Sequence, residues 1–245
     1  MPLPLQTGRF TVSEGARKIP IEQARAVGCA LVRAWLCSGL PSGRSMAEQL
    51  AIAEAQHGVI LAGSARRGVE HCGDVELLAP APIAPGARDD VCERIKAVLL
   101  PEETTVLYPP AGAWASEVKG VKPGFRYAQV IVYPRLLNRS YFEDVLGTEP
   151  DGGVKVDLFR YVPGAAGNFG WISLIRTGPH EFGEACLVRW KRISGGGCSH
   201  AGFPRVKDKD SAAIAVPDEA AAFALLKMPF IEPRDRRGDH PSLAG

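Results

Sequence analysis

The chain has 245 residues, enough for one large domain or two small ones with a developed hydrophobic core. Hydrophobic residues make up 46% and charged residues 23%, an ordinary balance for a globular protein, and this excludes a disordered or fibrous chain. The formal net charge of +2 excludes a whole-chain basic bias, so affinity for nucleic acid must come from local clusters of Lys and Arg.

The first half of the chain predicts a loose segment over 1–16, followed by helices and strands. Apolar residues recur at helical spacing after Pro20, and Gly58 ends a second apolar helix. Alternation of Val75 and Leu77 with acidic residues is typical of a strand. The predicted helices are 21–37, 45–56 and 89–99, and the predicted strands are 59–62, 74–78, 104–107 and 127–133.

The second half predicts a strand over 154–162 and then mainly helices. The strand's alternation places Lys155, Asp157 and Phe159 on one face. The predicted helices are 167–176, 180–193 and 217–226, the last with Asp218 and Glu219 in its first turn, and 195–197 is a glycine loop. This order predicts an α/β or α+β fold, with a mixed sheet flanked by helices over 17–165 and a smaller, mainly helical domain over 166–245.

The cysteines and the apolar segments bear on location. The six cysteines include no Cys-x-x-Cys pair, which predicts free thiols in a reducing, cytoplasmic compartment. Cys198-Ser199-His200, with Cys186 or His180 as a further ligand, matches no structural zinc spacing. No apolar stretch approaches the ~20 residues that span a bilayer, and we expect no signal peptide and no membrane partner.

Three carboxylates are the candidates for metal chemistry. Asp74 and Glu76 are two apart in a strand, so both side chains project from one face and repel unless a cation lies between them. An exposed strand face tolerates such a pair, but this strand is otherwise apolar, and a later strand carries a further acid, Asp157. Three carboxylates converging on hard cations predict a two-metal phosphoryl-transfer site.

A phosphate cradle is predicted just before the first two acids. Gly63-Ser64 follows a short apolar strand, where free backbone N–H groups at a helix start or nest can hold a phosphate. Ser64 adds a hydroxyl donor, and Arg66 and Arg67 add bidentate charge. A phosphate cradle beside paired acids favours transfer of a nucleotide's phosphoryl group.

These motifs resemble the signature of the polymerase beta nucleotidyltransferase superfamily. The matching stretches are Gly63-Ser64-x-Arg66-Arg67-Gly68, Gly73-Asp74-x-Glu76 and Val156-Asp157-Leu158. Further stretches resemble DNA polymerase family X in particular, namely Arg17-Lys18-Ile19-Pro20, residues 170–178 ending in Thr177-Gly178, and the tail Ile231-Glu232-Pro233-Arg234-Asp235-Arg236. The resemblance covers roughly residues 15–110 and 150–237.

The resemblance implies a minimal palm-plus-thumb DNA polymerase that uses dNTPs. Asp74, Glu76 and Asp157 would hold two Mg²⁺ ions, with Mn²⁺ as a substitute, and Asp157 would also lie beside the primer 3′-hydroxyl. Ser64 and Arg67 would bind the β and γ phosphates. The full set implied for nucleotide binding is Gly63, Ser64, Arg67, Gly73, Thr177 and Gly178. The implied DNA is a primer–template or gapped duplex, and we expect a monomer.

The sequence departs from the family pattern at several points. We find no counterpart of the family's lyase domain before Arg17, and Glu76 stands where family X has Asp. Ile175 and Arg176 replace an aromatic pair that blocks the ribose 2′-hydroxyl, which predicts weaker rejection of ribonucleotides. Pro179 replaces the serine of Thr-Gly-Ser. An additional helix near 44–57 and the segment 110–124 have no family counterpart, and the lysines of that segment either follow a DNA backbone or are only solvated.

The helix over 180–193 lacks the family's Asn and Arg that sense the minor groove. Arg189 is a shifted substitute for that Arg, and Trp190, Lys191 and Arg192 are predicted to contact the template by stacking and phosphate pairing. The alternative for Trp190 is a place in the core of the C-terminal domain.

Three functions remain open from the sequence. The first is template-directed nucleotidyl transfer from a dNTP to a primer 3′-hydroxyl with release of pyrophosphate, at short gaps in DNA repair. The second is a template-independent or non-polymerase nucleotidyltransferase acting on RNA, a small molecule or a protein hydroxyl, which Glu76 favours. The third is a silent DNA-binding module, against which the retention of all three acids argues, because buried like charges are costly without cations.

Overall fold

A computed structural model describes residues 18–35, 44–81, 127–132, 154–198, 202–206 and 212–243. The strands within them are β1 Ile19–Pro20, β2 Ile60–Leu61, β3 His71–Cys72, β4 Val75–Pro80, β5 Tyr127–Val132, β6 Val154–Tyr161, β7 Gly197–Cys198 and β8 Pro204–Arg205. The helices are α1 Ile21–Trp35, α2 Met46–His57, α3 Gly63–Arg67, α4 Phe169–Thr177, α5 His180–Ser194 and α6 Glu219–Leu225, with 3₁₀ turns at Pro233–Asp235 and Pro241–Leu243.

Four of these strands form a mixed sheet in the order β2-β4-β6-β5. The β4–β6 pair is parallel, whereas β2 runs antiparallel to β4 and β5 runs antiparallel to β6. Helices and a mixed sheet therefore occur together, as the sequence predicted. No helix in the described ranges is both long and apolar enough to cross a membrane.

The two faces of this sheet differ in what covers them. One face presents Leu77, Val156 and Leu158 to α1 and α2, and all three side chains are almost fully buried in that apolar cluster. The opposite face presents Leu78, Phe159 and Tyr161 to the start of α4, where Phe169 and Ile172 pack against them. Alternation along β4 and β6 places the predicted carboxylates on this second face.

Local signals explain where the helices begin and end. At the start of α2, Ser45 accepts a hydrogen bond from the Glu48 N–H at 3.3 Å, while the Ser45 N–H donates to Glu48 Oε2 at 2.9 Å. Gly58 closes this helix with φ of +64°. At α6, the Asp218 carboxylate accepts from the Ala221 N–H at 2.7 Å, so the helix begins at Glu219 and not at the predicted Pro217.

The last three helices enclose a separate apolar cluster. It contains Trp171 of α4, Phe182 and Trp190 of α5, and Phe223 of α6. Trp171 and Trp190 meet edge to face with ring centroids 6.0 Å apart. The predicted boundary between 165 and 166 lies in the chain between this cluster and the sheet, and it stays a prediction.

Some boundaries differ from the predictions, and some predictions lie elsewhere. The predicted strand 59–62 contracts to β2, because α3 begins at Gly63, and the glycine loop continues into β7. The short strands β1, β3, β7 and β8 were not predicted, since two residues carry no periodic pattern. The segment 1–16, the helix 89–99, the strand 104–107 and the segment 110–124 lie outside the described residues.

Candidate active site

The sheet register brings the predicted acids together. Glu76 of β4 is the direct partner of Asp157 of β6 in the parallel pair, and Asp74 precedes β4 by one residue. Asp157 is 6% exposed, and Asp74 and Glu76 are half-buried. Because Asp74, Glu76 and Asp157 share one side of two adjacent strands, their charges act on one another.

Lys155 pairs with two of these acids. Its Nζ lies 2.9 Å from Asp74 Oδ2 and 3.3 Å from Asp157 Oδ2. Burial disfavours the charged amine, but both carboxylates favour it more strongly, and the pKa of Lys155 is raised above 10.5. Two of the three predicted metal ligands therefore already converge on one positive charge.

Glu76 is the acid that this lysine does not neutralise. Burial and then the charge of Asp74 raise its pKa from 4.5 to about 7, with a further contribution from Asp157, while Arg176 and Arg67 act in the opposite direction. The Glu76 carboxyl is therefore half protonated near neutral pH. A carboxyl with a strongly shifted pKa beside other acids is a common property of functional sites.

Glycine is required at position 63 for two reasons. Gly63 has φ of +62°, which is unfavourable for other residues. A Cβ at this position would also overlap the Glu76 carboxylate. The Ala62 N–H donates to the Glu76 backbone carbonyl at 2.8 Å, so the start of α3 is tied to β4 at the acids.

The chemistry of the donors fits a hard divalent cation. Mg²⁺ prefers carboxylate oxygens and is bound by one or two of them together with phosphate oxygens and water. Asp74 and Asp157 direct oxygens at one point, and Glu76 lies beside Asp157 in the register. In the described part of the chain, however, no three Asp, Glu, His or Cys side chains are grouped closely enough to hold an ion, and the Lys155 amine lies where two of the acids converge.

Four of the residues predicted to bind the nucleotide lie together. Arg67 Nη1 donates to the backbone carbonyls of Thr177 at 2.5 Å and of Gly178 at 2.7 Å, and its Nη2 donates to Ser64 Oγ at 3.2 Å. Residues 111 positions apart are thus joined by one guanidinium. Gly73, another residue of the predicted set, is exposed, and a Cβ there would meet nothing within 4 Å, so its predicted contact gains no support from packing.

Arg66 does not take the phosphate role suggested by the sequence. Its guanidinium forms a two-pronged ion pair with Glu219 of α6, at 2.9 and 3.1 Å, and donates to Ser173 Oγ and Thr177 Oγ1 at 2.9 Å each. Arg236 Nη1 binds the same Glu219 carboxylate at 3.0 Å. Arg66 therefore connects α3 to the C-terminal helices. It has different partners from Arg67 because consecutive residues of a helix point in directions about 100° apart.

Two of the four predicted DNA contacts are buried, and for Trp190 this is the core position that the sequence offered as the alternative. Trp190 is 3% exposed, and its Nε1 donates to the Gly197 carbonyl at 3.1 Å, so the indole belongs to the core and cannot stack on a base in this structure. Arg189 is 9% exposed, and its Nε donates to the Leu226 carbonyl at 2.7 Å. Lys191 and Arg192, in contrast, are exposed on α5 and stay candidates for phosphate contact.

Several functional contacts could not be anticipated from the sequence. Arg176 lies over the Phe159 ring at 3.9 Å from its centroid, at the border between the acids and the apolar cluster under α4. Glu219 was expected to act on the helix dipole, but Asp218 caps the helix and Glu219 is buried between arginines. Lys155 was placed on the correct face by alternation, and this was the only signal for its pairing.

The cysteines show no metal arrangement in the described ranges. Cys198 Sγ accepts a hydrogen bond from the Trp171 Nε1–H at 3.2 Å. Cys186 is fully buried, and burial raises its pKa to about 12. Cys29, Cys72, Cys186 and Cys198 are free thiols, as expected, and His200 lies outside the described residues.

The sequence was compared with protein-family models and with curated proteins, and neither comparison found a match.

Proposed function

We propose that this protein is a magnesium-dependent nucleotidyltransferase that extends a primer 3′-hydroxyl with a deoxynucleotide, as a template-directed DNA polymerase that fills short gaps. The observation that carries the proposal is the placement of Asp74, Glu76 and Asp157 on one sheet face, with Asp74 and Asp157 already directed at one positive charge. The family resemblance of the sequence supports the same activity and a palm-plus-thumb arrangement.

In this proposal, the reaction forms one bond and breaks another at the α-phosphorus. The primer 3′-oxygen attacks the α-phosphorus and its proton passes to water, while the bond to the bridging oxygen breaks and pyrophosphate leaves. Bound magnesium would lower the pKa of the attacking hydroxyl and compensate the charge on the leaving group. Asp74, Glu76 and Asp157 are the residues that would hold it, and Asp157 would orient the primer hydroxyl.

The residues beside the acids suit the triphosphate. Ser64 has a hydroxyl donor, and Arg67 has five N–H donors, of which it directs some to the Thr177 and Gly178 carbonyls. An arginine oriented by fixed carbonyls can present its remaining donors to a β or γ phosphate with little loss of entropy. Arg66 holds α3 in place through Glu219 and so fixes the position of Ser64 and Arg67.

A second candidate is a nucleotidyltransferase that ignores a template or acts on RNA, a small molecule or a protein hydroxyl. Burial of Arg189 and Trp190 favours it, because this removes two of the four predicted DNA contacts. The three acids, together with Ser64 and Arg67, would serve this reaction equally well, since they act only on the nucleotide and the attacking hydroxyl.

A one-nucleotide gapped duplex tests the proposal. The purified protein is incubated with Mg²⁺ and each dNTP in turn, and extension is expected only with the complementary base. Asp157→Asn should reduce the rate by about 10³-fold or more, because a charged ligand and the orientation of the hydroxyl are both lost. Asp239→Asn, an exposed acid outside the site, serves as the control and should retain the wild-type rate.

The outcomes separate the two candidates. Extension that ignores the template base, or transfer to RNA or protein alone, would contradict the polymerase proposal and support the second candidate. Full activity of a folded Asp157→Asn variant, as judged by circular dichroism, would contradict the metal-site assignment itself.

A further inference from the structure

We infer that Lys155 is an internal counter-ion of the active site, which a catalytic divalent cation must displace in order to bind Asp74 and Asp157. The inference rests on the proposed function, since it concerns the same carboxylates. It adds a residue that controls when the site accepts metal.

The geometry places the amine and the cation in competition for the same oxygens. Lys155 Nζ is 2.9 Å from Asp74 Oδ2 and 3.3 Å from Asp157 Oδ2. Mg²⁺ binds oxygen at about 2.1 Å, so an ion on Asp74 Oδ2 would lie within about 5 Å of the amine if Lys155 stayed in place. A divalent and a monovalent cation at that distance repel strongly in a partly buried site. The metal ion and the amine would also compete for the same carboxylate oxygens of Asp74 and Asp157.

The Lys155 side chain can move away from the two carboxylates toward solvent. Its side chain is 25% exposed and the Asp74 side chain is 27% exposed, whereas that of Asp157 is 9% exposed. The Lys155 and Asp74 side chains are therefore more accessible to water than that of Asp157. The four-carbon stem of lysine is flexible and its ammonium is readily hydrated, so the side chain can rotate toward water without movement of β6.

A counter-ion of this kind explains how the acids remain together in the metal-free protein. Two buried or half-buried carboxylates on one face repel each other, and Lys155 compensates that repulsion for Asp74 and Asp157. Glu76 has no part in this ion pair, and it is the acid whose charge stays poorly compensated. Lys155 thus holds Asp74 and Asp157 together, and Glu76 lies outside this ion pair.

Metal binding to the free protein tests the inference without the reaction. Mn²⁺ is titrated and the unbound ion is followed by electron paramagnetic resonance, for wild type, Lys155→Met, Lys155→Arg and Asp157→Asn. Methionine keeps an unbranched side chain but removes the charge, so Lys155→Met should bind Mn²⁺ about tenfold more tightly or better. Lys155→Arg keeps the charge and should show no such gain, and Lys227→Met, at an exposed lysine outside the site, controls for net charge.

A second measurement covers the case in which Lys155→Met perturbs the fold. Wild-type protein is acetylated briefly with acetic anhydride, and modification of each lysine is quantified by mass spectrometry with and without Mg²⁺. Displacement predicts that Mg²⁺ increases the modification of Lys155 and leaves that of the exposed Lys227 unchanged.

The results distinguish failure of the inference from failure of the proposed function. If wild type binds Mn²⁺, Asp157→Asn loses it, and Lys155→Met binds no more tightly, the inference is overturned and the metal site stands. Unchanged or reduced acetylation of Lys155 with Mg²⁺ would overturn it in the same way. If no protein in the series binds Mn²⁺, the inference and the proposed metal chemistry are both overturned.

Discussion

Two buried or half-buried glutamates, one in each part of the molecule, have opposite environments. Glu219, at the junction of α3 with the C-terminal helices, accepts ion-paired hydrogen bonds from Arg66 and Arg236 at 2.9 and 3.0 Å. Burial alone would raise its pKa, but the two arginines outweigh burial and lower the pKa below 4.5. Glu76, on the sheet, is raised to about 7 by burial and by Asp74.

The difference separates a structural carboxylate from one suited to function. Glu219 has its full complement of cations within the protein, so its charge is compensated by folding itself. Glu76 is the strand neighbour of Asp157 and is affected by the charge of Asp74, so folding makes its own charge more costly. In the proposed function, a bound divalent cation would supply the charge that Glu76 lacks within the protein.

The largest expected effect on stability is at Glu219. Glu219→Gln leaves the buried guanidinium of Arg236 and the half-buried one of Arg66 without a counter-charge, and we expect a loss of about 3–5 kcal/mol in the free energy of unfolding at pH 7. Because the pKa of Glu219 is lowered, its contribution is present above pH 4.5 and is lost as the pH falls through the lower folded-state value. Urea denaturation at pH 7 and in acid measures both effects.

Glu232→Gln is the matched control for this prediction. Glu232 is exposed and belongs to the same C-terminal segment, so its substitution should change stability by no more than about 0.5 kcal/mol. Equal stability of Glu219→Gln and Glu232→Gln would show that the buried network contributes little.

An effect of opposite sign is expected at Glu76. Its folded-state pKa of about 7 exceeds the ordinary 4.5, so the metal-free protein should lose stability as the pH rises from 4.5 to 7. Glu76→Gln cannot ionise and should be more stable than wild type above pH 7, by up to about 3 kcal/mol, and equal to it near pH 4. Thermal or urea denaturation across this range, with chelator present, measures the difference.

Glu232→Gln again serves as the control, because Glu232 is exposed and belongs to the C-terminal segment, away from the acids. A Glu76→Gln variant less stable than wild type at pH 8 would contradict the assignment of Glu76 as an uncompensated charge. The two glutamates would then not differ in the way proposed, and the pKa shift of Glu76 would no longer support a functional role for it.

The sequence predicts the position of a residue best where apolar and polar residues alternate with the period of a strand or a helix. Alternation in β4 and β6 placed the acids on one face, and helical spacing located α1, α2 and α5 to within two residues. The grouping of Ser64, Arg67, Thr177 and Gly178 came from the family resemblance, and the structure brings these residues together.

The rest depends on contacts that no local pattern records. Arg66 and Arg67 are adjacent and chemically identical, yet one reaches a carboxylate 153 positions away and the other binds a turn. Trp190 lies beside basic residues, and the sequence left open whether it stacks on a base or belongs to the core. The pattern of α5 alone does not show which side of the helix the other helices cover. Burial is set by tertiary packing, and the local sequence states only what could be buried.

The smallest effect on stability is expected at Arg176, which is the first of the two arginines that lower the pKa of Glu76. Arg176→Leu removes the charge that opposes the rise in the pKa of Glu76, so the midpoint of the pH-dependent loss of stability should move upward by less than about 1 pH unit. Loss of the contact with the Phe159 ring should cost about 0.5–1 kcal/mol at every pH, which separates it from the pH-dependent part. Arg234→Leu, at a 79% exposed side chain, is the control and should leave the midpoint unchanged. A midpoint that stays in place or moves downward would mean that Arg176 does not compensate Glu76, and Arg67 would then be the arginine that opposes the rise in its pKa.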